Sequence, residues 1–150
     1  MSKLLFGLFL ALGVCVEAEA LNSPYEGVYT WLPSAARTTA QNLTDQTGKY
    51  ITGIEVICNV TVASGTGGLQ VKVQGKDLVS GTYYDIAATT ANTATGTIRN
   101  IIGANVFNVA ATTTTVNVNT YVPYVWRLQV AVGDASSYTY SCGYTLYSSS

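Results

Sequence analysis

Downstream of Lys49 the chain alternates apolar and polar residues with a period of two, the signature of half-buried β-strands. In YITGIEVICNVTVA, Ile54, Val56, Cys58, Val60 and Val62 fall on one face, with Glu55, Ile57, Asn59 and Thr61 on the other. SGTGG at 64–68 reads as a hairpin turn, and LQVKVQ follows with Leu69, Val71 and Val73 inward. Bends at GKD (75–77) and Ser80-Gly81 lead into TYYDIAA, and a further strand is expected from about Thr95 to Ile102. The Thr/Asn-rich stretch holding Val106, Val116 and Val118 predicts two short exposed strands and a loop, because Thr is a good strand former.

The last part of the alternation, YVPYVWRLQVAVGDASSYTYSCGYTLY, carries six tyrosines and only Arg127 and Asp134 as charges. It predicts a β-hairpin turning at Val132-Gly133-Asp134. Tyr124, Trp126, Leu128 and Val130 would share the core face of its first strand, and Tyr138, Tyr140, Cys142, Tyr144 and Leu146 that of its second. Tyrosines so placed fill a core while their hydroxyls reach its wet margin. No segment of useful length has a 3.6-residue period. The expected fold is therefore all-β: an antiparallel β-sandwich or jelly roll of about eight strands over residues 49–150, after an extended region, 21–48, and an apolar N-terminal segment, 1–20.

Composition narrows what such a sandwich does. Its 150 residues suffice for one domain with a real core, and 48% are hydrophobic against 10% charged, where about a quarter is usual. Eleven tyrosines and two tryptophans argue for folding, and the surface must be covered by Thr, Ser and Asn. That surface is common on β-proteins outside the cytoplasm or inside an assembly. Net charge is −1 and the basic residues are dispersed, so no stripe exists to neutralise phosphates and nucleic acid is not an expected partner.

The first twenty residues stand apart. MSK precedes a 13-residue apolar run, LLFGLFLALGVCV, and a small-x-small site at Ala18-Glu19-Ala20. This is the pattern of a secretory signal cleaved after Ala20. The rival is a retained arm whose Leu4, Leu5, Phe6, Leu8, Phe9 and Leu10 pack against another subunit, the run being too short to span a bilayer. Of three cysteines, Cys15 lies in the run, and Cys58 and Cys142 either pair in an oxidising compartment or remain small buried hydrophobes.

Candidate chemistry is sparse. With no histidine in the chain, Ser-His-Asp and Cys-His arrangements are impossible, and no CxxC or HExxH occurs. Downstream of the first twenty residues, Asp77 and Asp85 are the carboxylates closest in sequence, and turn stabilisation explains them better than paired acid/base work. GTGG precedes a strand, not the helix that a phosphate cradle needs. Trp126-Arg127 could stack on a sugar or base, but alternation puts Trp126 in the core and Arg127 outside. Asn42-Leu43-Thr44 and Asn59-Val60-Thr61 match the glycosylation pattern, which arises often by chance. No catalytic residue, metal, cofactor or small-molecule substrate is expected.

Three stretches, PSAARTTA from Pro33, VQGKDLVSGTYYDIA at 73–87 and VPYVWRLQVAVGDASSYTYSCG at 122–143, occur in an order that resembles a group of small bacteriophage structural proteins. In that group a QGKD-x-x-SG-x-YY run precedes an Ala/Thr segment, a Pro-x-x-Trp-Arg strand and a GDA-x-S-x-TYS-x-G hairpin. The resemblance covers about residues 33–146. It implies a β-sandwich virion component of the head-decoration or minor structural kind, binding the major capsid protein or other virion proteins and copies of itself. The first twenty residues are an addition to that pattern, and Cys58 and Cys142 stand where apolar residues are usual. The alternative expectation is a secreted bacterial β-sandwich, an adhesin or filament subunit with a cleaved leader. A weaker third is a carbohydrate-binding module using exposed tyrosines.

Overall fold

The computed structural model describes residues 27–104, 112 and 114–148. The N-terminal segment with Leu4–Leu10 and Cys15, and Val106, lie outside the described residues. Ten strands follow in order: β1 (Gly27–Arg37), β2 (Gln41–Asn42), β3 (Gln46–Thr47), β4 (Ile51–Ala63), β5 (Leu69–Lys76), β6 (Tyr83–Ala88), β7 (Gly96–Gly103), β8 (Thr115–Val118), β9 (Val125–Val132) and β10 (Tyr138–Ser148). The first sheet has the order β1-β10-β4-β7-β8, and the second β2-β9-β5-β6 with β3 also on β9. Every pairing is antiparallel except β7 with β8, which is parallel.

The alternation does what it predicts at the sheet interface. Ile54, Val56, Cys58 and Val60 of β4, with Tyr138, Tyr140 and Cys142 of β10, face Leu69, Val71 and Val73 of β5 and Trp126, Leu128 and Val130 of β9, all buried in one core. Asn100 is the polar exception on this inner surface. Its Nδ2 crosses the core to donate to the Val71 carbonyl at 2.7 Å, tying the two sheets together. Cys58 and Cys142 sit directly opposite each other on β4 and β10, their Cα atoms 4.1 Å apart, and form a disulfide.

Pairing is nested: β1 with β10, β2 and β3 with β9, β4 with β7, and β5 with β6. Of these links only β5–β6 is a local hairpin. Its six-residue connection, 77–82, is closed by Asp77 N donating to the Thr82 carbonyl at 2.8 Å.

Several expectations need correction. The stretch 121–147 is not a hairpin, because β9 belongs to the second sheet and β10 to the first. Gly133–Ser137 is an arch between the layers, five residues being enough to cross the ~10 Å that separates packed sheets. SGTGG is likewise an arch, from β4 to β5. Val62 is exposed, because a register shift between Thr139 and Tyr140 leaves Thr61 as an extra residue in β4 and flips the parity beyond Val60. Tyr124 is exposed because it precedes β9 and so escapes its alternation. Tyr144 is only partly buried, stacked on Tyr29 at 4.9 Å and edge-on to Trp126 at 6.2 Å. The sandwich is not confined to residues 49–150, since β1–β3 from the stretch before them join both sheets. The Thr/Asn-rich stretch contributes β8 among the described residues, and its Val116 and Val118 pack against the core.

Candidate interaction surfaces

The motifs singled out in the sequence assemble into three local structures. The first is the arch pair. Gly133 N donates to the Gly68 carbonyl at 2.9 Å, and a Cβ on Gly133 would collide with the Gly67 carbonyl, so two backbones pass in direct contact. The Asp134 carboxylate accepts from the backbone N–H groups of Thr66 (2.9 Å), Gly67 (2.6 Å) and Ser136 (3.1 Å). Those bonds, led by the one from Gly67, hold its carboxyl below the usual range. Tyr138 adds a clasp by accepting from Gly68 N at 2.9 Å. GTGG and GDASS are thus two halves of one structural device.

The second is the edge strand β1. Register shifts between Thr30 and Leu32 and between Leu32 and Ala35 loosen its ladder with β10. Arg37 fills the gap, donating to the carbonyls of Pro33 (2.6 Å), Ala35 (3.1 Å) and Tyr140 (2.8 Å), with its guanidinium over the Tyr140 ring. The PSAAR segment is therefore a stapled bulge. With Pro33 it blunts an edge that would otherwise invite strand addition.

The third lies on the outer face of the second sheet, where VQGKDLVSGTYYDIA meets Trp126-Arg127. Arg127 stacks 3.4 Å from the Tyr83 ring centroid and donates to Gln74 Oε1 at 2.8 Å. Gln74 in turn donates to Asp85 at 2.6 Å, and Lys72 pairs with the same carboxylate at 2.8 Å. Lys76 pairs with Asp45 at 2.7 Å, and the Tyr83 hydroxyl also donates to Asp45. Burial alone would raise Asp85, but the bonds from Lys72 and Gln74 outweigh it and hold the carboxyl below the ordinary range. Asp77 is lowered by the Ser80 hydroxyl and Val79 N–H within its own turn. Two depressed carboxyls are the reverse of what a general acid at neutral pH requires. Among the described residues no group of three or more His, Cys, Asp or Glu could hold a metal.

Trp126 is fully buried, so its indole is not a surface stacking platform, and Tyr138, Tyr140 and Cys142 are buried with it. The outer face of the first sheet carries a shallow groove of about 260 Å³ whose lining includes Val28, Ile57 and Gly143. Beside it, Glu55 pairs with Arg99 and accepts from the Tyr147 hydroxyl at 2.7 Å. Burial, then that bond, pushes the Tyr147 phenol up to about 12.

Exposed large apolar side chains are not spread evenly. Of the nine among the described residues, Tyr50, Leu78, Val79, Tyr84, Tyr121 and Tyr124 sit at one end of the sandwich. They occupy the turn before β4, the β5–β6 turn, the start of β6 and the approach to β9. Gly48 N bonds the Tyr124 carbonyl at 2.7 Å, and Tyr84 and Pro123 both close over Gly75, which binds these loops together. Gly27, where β1 starts, belongs to the same end, since it pairs with Leu146 and Leu146 with Ile54. Only the position of Trp126-Arg127 and the turn role of Asp77 could be read from the sequence. The clustering of apolar side chains could not, because alternation says nothing about loops that converge in space. Comparison with protein-family models, with curated proteins and with solved structures finds no match to this chain.

Proposed function

We propose that this chain is a non-enzymatic structural component of a virus particle, a jelly roll that decorates or stabilises a phage capsid or tail. The observation that carries the reading is the apolar end. Val79 is 97% exposed and Tyr121 84%, and such side chains gathered on a surface with few charges mark a contact with another protein. Nested pairing supports the jelly roll. A ribbon folded at β5–β6 and wrapped so that successive pairs alternate between layers gives this strand order. The resemblance of the three motif stretches to phage structural proteins points the same way, and those stretches account for the arch, the stapled edge and the charged outer face. The lack of histidine and the two depressed aspartates weigh against catalysis.

The disulfide favours a second reading, a secreted sandwich acting as an adhesin or filament subunit, because such bonds persist in oxidising surroundings. A released virion meets the same surroundings, so the bond fits both. Particles purified by density gradient from a producing culture separate the two. Co-sedimentation of the chain with the shell at fixed stoichiometry is the expected result. Recovery away from particles, in the periplasm or supernatant with Leu21 at the N-terminus, would overturn the virion reading in favour of the secreted one.

A further inference from the structure

We propose that Tyr29 and Tyr144 form an oxidative cross-linking site, at which one-electron oxidants of the peroxide-derived radical class join the two phenols and fasten the edge strand β1 to β10. The two residues stand directly opposite each other in the β1–β10 ladder. Their rings stack with centroids 4.9 Å apart and planes 17° from parallel, near the lower limit of about 4.5 Å for aromatic pairs. Both side chains are only partly buried, and a crevice of about 190 Å³ is lined by them from the first sheet and by Gln46 and Thr47 from the second. A small oxidant therefore reaches the pair, and water can carry its protons away. The Cys58–Cys142 bond, whose second cysteine lies two residues before Tyr144 on β10, marks a protein that persists in oxidising surroundings.

Each phenol gives up one electron and one proton, leaving two phenoxyl radicals whose spin is shared with the ring carbons ortho to oxygen. Those carbons couple, and each then passes its hydrogen to its own oxygen, restoring two phenols. In the net change one C–C bond forms and two C–H bonds break. Two protons go to water and two electrons to two equivalents of the oxidant. The partner ring is already held in place, so it outcompetes any second chain at low concentration. Tyr140 and Tyr83 are less suited, because the guanidinium groups of Arg37 and Arg127 lie over their rings and a cation there opposes removal of an electron. The link also has a mechanical consequence. Two register shifts beyond Thr30 loosen β1, and Arg37 staples only its far end, so a covalent bond at Tyr29 secures the end that Arg37 does not reach.

The proposal is independent of the virion reading and is read on the isolated full-length chain. Dilute protein is oxidised with photogenerated ruthenium(III) tris-bipyridyl, persulfate serving as the electron sink, and the monomer is recovered and mapped by mass spectrometry. The expected product is a monomer lighter by two hydrogens, with the blue fluorescence of dityrosine and a link that fragment spectra place between Tyr29 and Tyr144. Links elsewhere, links only between chains, or no dityrosine would overturn the site. Tyr29→Phe and Tyr144→Phe keep both rings but cannot form the radical, so each should lower the intrachain yield at least tenfold while melting as the parent does. An undiminished yield in either folded variant would overturn the assignment. In the linked monomer, exchange of the hydrogen-bonded amides within residues 27–30 should slow at least tenfold, and unchanged exchange would overturn the fastening of β1.

Discussion

Cutting the Cys58–Cys142 bond is the sharpest perturbation this fold offers. The bond closes a loop with a sequence separation of 84, for which the chain-entropy relation gives about 4.5 kcal/mol at 25 °C. Both cysteines are buried and their strands stay paired along their length, so the native state hardly changes and the effect falls on the unfolded chain. A reductant will not reach the bond in folded protein. The chain must be unfolded with reductant, then refolded with its thiols kept reduced. For a domain of this size the loss corresponds to a fall in Tm of roughly 15–20 °C. Urea unfolding followed by Trp fluorescence should show a lower midpoint and a steeper dependence on denaturant, because the reduced unfolded chain exposes more surface. Oxidised and reduced proteins melting within about 3 °C of each other would refute the loop-entropy reasoning.

Other outcomes follow from packing and charge. Trp126→Ala should cost about 3–5 kcal/mol in urea unfolding, and wild-type stability in that variant would contradict a core role. Val60→Ala should cost about 2 kcal/mol and Val62→Ala less than about 0.5, since only the first faces the core. Equal costs would mean the register shift is absent. The depressed carboxyls of Asp45, Asp77, Asp85 and Asp134 stabilise the fold above their unfolded values near 3.8. That stability is lost as pH falls through the lower folded values, so Tm should be level from neutral pH to about 5 and fall below about 4. A Tm that stays level down to pH 2 would contradict it. At the alkaline end Tyr147, raised to about 12, favours the fold below its unfolded value of 10, and that contribution disappears as pH climbs from 10 through 12. Absorbance titration of Tyr147→Phe against the parent chain checks this assignment.

Side-chain parity was legible and layer membership was not. The inward sets on β5, β9 and most of β4 and β10 follow from alternation, because burying one face of a sheet selects every second residue. Val62 escaped that logic because one inserted residue, Thr61, reverses parity with no mark in the sequence. GTGG and VGD were misread as hairpins since glycine signals a change of direction, whether into the same sheet or across to the other. What separates the cases is the mutual contact of Gly67, Gly68 and Gly133 and the reach of Asp134 across more than sixty residues, both properties of the folded chain. Strand β1 was hidden by Pro33 and its bulges, which interrupt the period that reveals other strands. Of the candidate surfaces, the polar outer face was half visible in Arg127 and Asp85. The apolar end was not visible, because its side chains come from three separate connections and the start of β6.

The interior position of β10 bears on how the protein is made. It is the last strand of the described chain to leave the ribosome, yet it lies between β1 and β4, which have no ladder with each other. Until its eleven residues emerge, the nascent chain holds two long strands with open edges and an inner face rich in Ile, Val and Cys side chains. Among the described residues only the β5–β6 hairpin is local enough to form early. Completion of the first sheet is therefore held back until β10 has been made, and Cys58 waits as a free thiol for a partner made 84 residues later. A stalled or shortened product lacking β10 would be an aggregation-prone fragment with no way to complete its first sheet.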